Sequence, residues 1–162
     1  MKKLFSLLFA SLLIFSLANA QGKMAVGVGG NVALPMGTFG DIAKMGFGGG
    51  ANFEYEVSPG LNATASAQYL MFGVKSTGEG SYKVIPMLAG AKYSFGGDLF
   101  GFVETGLNLW PSSTSSPEFG YAAGVGYSLP MVGANLDFSV KFQTYASSTS
   151  AINLGVAYKF GL

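Results

Sequence analysis

Ile152-Asn153-Leu154-Gly155-Val156-Ala157-Tyr158-Lys159-Phe160 alternates without a break: every even position is bulky and apolar, every odd one polar or small. Strand side chains point to opposite faces in turn, so this segment presents one face suited to lipid and one suited to a polar interior. A soluble strand of this kind would bury its apolar face in a core. Here the same pattern recurs in eight stretches of about 10 to 13 residues between Lys23 and Leu162, which is the signature of a membrane β-barrel.

The stretches predict strands over about 24–34, 46–57, 62–74, 82–95, 99–110, 118–129, 135–145 and 151–161. Eight is an even number, as expected for a bacterial barrel. The connections alternate in kind. Ser58-Pro59-Gly60, Gly96-Gly97-Asp98 and Met131 to Ala134 read as tight turns, whereas Pro35 to Met45, Lys75 to Ser81, Pro111 to Pro117 and Ala146 to Ser150 read as polar loops. The expected fold is all-β: an eight-stranded antiparallel up-and-down transmembrane β-barrel. Short turns on the periplasmic side put both termini there.

Residues 1–20 stand apart. Lys2 and Lys3 precede an apolar run from Leu4 to Leu17, and Ala18-Asn19-Ala20 supplies a small-x-small cleavage site, so residues 1–20 are read as a cleaved signal peptide and 21–162 as the barrel domain. The apolar run, about 14 residues, is short for a spanning helix, which needs roughly 20. Beyond the leader, seven Lys face eight acids and there is no Arg, so nucleic acid has no electrostatic basis for binding. Cys and His are absent as well. The barrel is therefore expected to hold without disulfides or the usual zinc ligands. Mean hydropathy is +0.41 with only 10% charged residues, high for a secreted soluble domain. A closed sheet reconciles the two, since it satisfies every backbone polar group while asking only every second residue to be apolar.

Parity assigns the faces. The outward set, Val26 and Val28 through Tyr158 and Phe160, carries one charge, Lys83, placed at the outer rim where its chain can snorkel. Tyr55, Tyr93, Tyr127, Phe138 and Tyr158 gather near the periplasmic ends and Phe47, Tyr69, Phe119 and Tyr121 near the extracellular ends, as paired interfacial girdles would. The inward set contains Glu54, Glu56, Lys92, Glu104, Asp137, Lys141 and Lys159, four acids and three Lys. Isolated charges inside so narrow a barrel are costly, so these seven are expected to form a structural network of ion pairs and hydrogen bonds. An eight-stranded barrel has room for side chains and little else, which favours a filled lumen over an ion path. The inward glycines are expected to leave space for the long side chains. For the last hairpin, a loop at Ala146 to Ser150 predicts Asp137 opposite Lys159 and Lys141 opposite Gly155.

Val84-Ile85-Pro86-Met87-Leu88-Ala89-Gly90-Ala91-Lys92-Tyr93-Ser94-Phe95, Phe119-Gly120-Tyr121-Ala122-Ala123-Gly124-Val125-Gly126-Tyr127 and the closing Gly155-Val156-Ala157-Tyr158-Lys159-Phe160 resemble, in order and spacing, the outer-membrane protein β-barrel domain family of the OmpA and OmpX type. The resemblance implies a small integral protein of the cell outer membrane, with no catalytic residue to transfer. Its final strand resembles the signal read by the barrel-assembly machinery, although Phe160 is followed here by Gly161 and Leu162.

No catalytic, cofactor-binding or metal residues are expected. Without His, a hydrolase loses its usual general base. Ser112 to Ser116 reads as an exposed loop, and Gly48-Gly49-Gly50 has no following helix to cradle phosphate. The chain is thus expected to be a non-enzymatic, monomeric barrel with a structural or surface-interaction role, its partners being outer-membrane lipid and the assembly machinery. The alternative is a narrow conduit or binder for small hydrophobic compounds around Leu70, Phe72, Phe102 and Trp110. A soluble lipocalin-like carrier would need the inverse pattern.

Overall fold

The computed structural model describes residues 23–75, 80–111 and 116–161; the expected leader, residues 1–20, lies outside them, as do 76–79 and 112–115 of two of the expected loops. Eight strands, β1 (Met24–Met36), β2 (Ala43–Ser58), β3 (Leu61–Val74), β4 (Ser81–Gly96), β5 (Leu99–Leu109), β6 (Glu118–Met131), β7 (Ala134–Ala146) and β8 (Thr149–Gly161), pair in sequence order. β8 closes on β1, so the sheet is an antiparallel up-and-down barrel with no free edge.

The alternating pattern produces the belt it predicted. Every strand contributes exposed apolar side chains, among them Val28, Phe47, Met71, Met87, Val103, Val125, Val140 and Leu154, with Val103 and Val125 each 60% exposed. A continuous apolar girdle of this kind is foreign to soluble monomers, whose contiguous apolar patches rarely exceed a few hundred Å². At the end that carries the short turns, Tyr93 stacks edge-on against Phe95 at 5.6 Å and Tyr158 lies 6.5 Å from Phe160. Tyr127 there donates its hydroxyl to Asp98 at 3.0 Å.

Two expectations about the connections are corrected. The stretch 35–45 is not one loop: Gly37–Ile42 forms a short helix, α1, and β2 already begins at Ala43. Six residues with no side-chain N-cap are marginal as a helix. α1 is instead held by Phe39, which is buried in the barrel mouth, and by Lys75, whose N–H reaches Ile42 O at 2.9 Å and whose ammonium reaches Gly40 O. The last hairpin does not turn through five residues either. Ser147 and Ser148 alone make the turn, next to an irregularity between Thr144 and Ala146. The pairing therefore shifts by two positions, giving Asn135 opposite Lys159, Asp137 opposite Ala157 and Lys141 opposite Asn153. A two-residue shift preserves side-chain faces, whereas a one-residue shift would invert them.

The inward glycines do more than leave room. At Gly90 an added Cβ would meet Val103 O and lie 2.7 Å from Glu104 Cα, atoms of the neighbouring backbone that no rotamer change can move. Glycine there permits the close strand approach of a narrow barrel. We expect Gly90→Ala to destabilise the barrel by about 1 to 3 kcal/mol. On the outward face, where the nearest atom to a Cβ at Gly30 is 3.5 Å away, Gly30→Ala is expected to stay within about 0.5 kcal/mol. Urea unfolding midpoints in detergent compare the two, and equal losses would refute the backbone-approach explanation.

Candidate functional site: the barrel lumen

Strand parity sends Glu54, Lys92, Asp137 and Lys159 from four strands to one level near the turn end. There they close a ring in which each Lys bridges both acids. Lys92 Nζ lies 3.0 Å from Glu54 Oε1 and 2.7 Å from Asp137 Oδ2; Lys159 Nζ lies 3.1 Å from Glu54 Oε2 and 3.0 Å from Asp137 Oδ2. All four residues are buried. The remaining valences are also taken. Ser128 Oγ donates to Asp137 Oδ1, Asn52 Nδ2 donates to Glu54 Oε1 at 3.4 Å, and Lys92 sits 3.8 Å above the Phe100 ring. The ring is electrically neutral, and its desolvation is offset only because both charges of each sign are doubly paired.

Above the ring lies a cavity of about 110 Å³ lined by Asn31, Ser66, Gln68, Glu104, Ser139 and Lys141 among others. Glu104 and Lys141 face this same space without forming an ion pair. Glu104 instead accepts from Thr64 Oγ1 at 3.3 Å and Ser66 Oγ at 3.5 Å. Lys141 donates to Gln68 Oε1 at 3.4 Å, an oxygen that also takes Asn31 Nδ2 at 2.7 Å. Of the seven charges expected inside, Glu56 stands apart: it is half-buried at the rim, outside the ring, and its backbone N–H bonds Lys23 O at 3.0 Å.

The loop end is apolar. Ala33, Ala43, Leu70, Phe72, Val84, Tyr145 and Ala151 fill the lumen under α1, with Phe39 entering from above and Tyr82 and Trp110 packed alongside. The rings interlock, Phe39 on Phe72 at 5.0 Å and Phe72 on Tyr145 at 5.8 Å. Tyr145 directs its hydroxyl down to Asn153 Oδ1 at 3.0 Å, where plug meets polar layer. Leu70 and Phe72, candidates for a lateral hydrophobic pocket, are fully buried in this plug. Sequence reasoning placed Tyr145 inward but missed Phe100 as a lumen residue although strand parity marks it. It had no signal for Phe39, which reaches the lumen only through the unforeseen helix.

No protein-family model matches the chain, and no curated protein matches it. Solved structures do. The attachment invasion locus protein Ail of Yersinia pestis is 12% identical with a TM-score of 0.63, covering 88% of this chain and all of that one. Neisserial surface protein A, NspA, is 15% identical with a TM-score of 0.58, covering 85% of this chain and 96% of its own. A de novo designed transmembrane β-barrel is 23% identical with a TM-score of 0.57, covering 87% and 98%. The chain has the fold of the small eight-stranded transmembrane barrels found in bacterial outer membranes.

Proposed function

We propose that the chain is an integral outer-membrane protein with a structural or surface-interaction role and a lumen that conducts nothing. The observation that carries this reading is the stacking of a neutral four-charge ring and an aromatic plug in one narrow bore, with about 110 Å³ between them. The turn end faces the periplasm and α1 faces outward, following the placement of short turns in such barrels. The protein acts as a monomer among lipids, is inserted by the barrel-assembly machinery and performs no catalysis.

Conductance across planar bilayers tests the closed lumen. The intact protein should give no discrete channel steps at any salt concentration. A reproducible single-channel conductance that survives mixed-salt reversal measurements would instead favour the conduit.

A further inference from the structure

Among the described residues outside the lumen, Lys44, Lys75 and Lys83 all stand at the loop end of three consecutive strands, β2, β3 and β4, while Lys23 stands at the opposite end. Lys75 is tied to Gly40 O, and Lys44 and Lys83 border a gap. Gly73 is on the outward face of β3, opposite Ser81 of β4, and Lys83 pairs with Met71 one step below on that face. On the other side, the Lys44 side chain runs beside Gly73, its Cβ and Cδ each 3.5 Å from where a Gly73 Cβ would be. Lys44 and Lys83 thus stand on the strands either side of β3, Lys44 level with Gly73 and Lys83 one step toward the barrel middle beside Met71, two strand spacings or about 10 Å apart across the strands. Among the described residues neither ammonium has a carboxylate within 4.0 Å. Exposed apolar Met71 and Phe47 continue the same face toward the middle of the barrel.

We propose that the Gly73 notch binds the phosphate of a membrane lipid, held between Lys44 and Lys83 with its acyl chains along Met71 and Phe47. The inference rests on the membrane reading above. It follows from charge complementarity: two cations without acidic partners among the described residues lie at headgroup level, directly over an apolar wall. Lys83 is half-buried along that wall, as a snorkelling side chain is. Asp41, on α1, is the acid nearest in sequence to Lys44 and has no lysine partner among the described residues.

Native mass spectrometry of the chain released from nanodiscs of equimolar phosphatidic acid and phosphatidylcholine tests this, with heat-modifiability on gels confirming that each variant folds. With about 1 kcal/mol for each Lys near a headgroup, the wild type should retain one phosphatidic acid with about thirtyfold preference. Lys44→Gln/Lys83→Gln should bring the preference near parity, and Lys23→Gln should leave it unchanged. Gly73→Leu, which fills the notch but keeps every charge, should lose most of it. Parity in the wild type, an unchanged Lys44→Gln/Lys83→Gln variant, or full preference in Gly73→Leu would each overturn the proposal. So would displacement of the lipid by inorganic phosphate alone. Failure to enter nanodiscs of either lipid would refute the membrane reading and this site with it, whereas insertion without preference refutes the site only.

Discussion

Replacing Asp137 with Ala should be among the most damaging single changes in the barrel, lowering unfolding free energy by about 3 to 5 kcal/mol. Asp137 accepts from Lys92 at 2.7 Å and from Lys159 at 3.0 Å, and Ser128 donates to its other oxygen. Its removal leaves two buried ammonium groups sharing Glu54 alone, in a layer that was neutral. The loss therefore comes from stranded charge rather than from one missing contact. A companion variant separates the two causes. If Glu54, Lys92, Asp137 and Lys159 are all replaced by Leu or Met of similar volume, stability should return to within about 1 kcal/mol of wild type or exceed it. Reversible urea unfolding in detergent or thin bilayers reads both variants. A mild Asp137→Ala effect, or a quadruple variant as unstable as the single one, would contradict the ring's role.

Truncating Phe72 to Ala should cost a similar amount, about 3 to 5 kcal/mol, for a different reason. The ring is fully buried and touches Phe39 and Tyr145, and Gly46 accommodates it, since a Cβ at Gly46 would fall 2.5 Å from the Phe72 ring. Removing it opens an apolar void under α1. A helix this short has little stability of its own, so loosening of Gly37–Ile42 should accompany the loss. Hydrogen exchange of the Ala43 N–H, which bonds Phe39 O, should accelerate in Phe72→Ala and remain slow in Asp137→Ala. Equal exchange in the two variants would show that plug and ring are not separate layers.

The strands and their faces were legible because a period of two is written directly into the side chains, as in Ile152 to Phe160. Six of the seven charges named from parity lie buried in the lumen, and four converge in one ring, a convergence that strand parity alone does not encode. Registers were less legible, because they depend on turn length. Ala146-Ser147-Ser148-Thr149-Ser150 contains no Gly, Pro or Asn to mark where the chain reverses, so its two-residue turn read as a five-residue loop. Asp137 and Lys159 still meet, but diagonally rather than face to face. The helix left no periodic trace: Gly37 and Gly40 are poor helix formers, and it is held in place by tertiary contacts, the burial of Phe39 and the Lys75 bonds to Ile42 O and Gly40 O. The glycines were visible but misread in part, since at Gly90 the nearest atoms belong to a neighbouring backbone and not to a long side chain.

The chain contains no cysteine, so a single spin label can be placed at each position of β8 in turn. Oxygen and nickel-chelate accessibilities of labels at Leu154, Gly155, Val156 and Ala157 in lipid bilayers then test directly whether the barrel wall faces hydrocarbon. Labels at Leu154 and Val156 should be accessible to oxygen and shielded from the polar chelate, while those at Gly155 and Ala157 should be inaccessible to oxygen. Uniform values along the strand, or chelate access at Leu154 and Val156, would contradict a membrane-embedded barrel with a filled lumen.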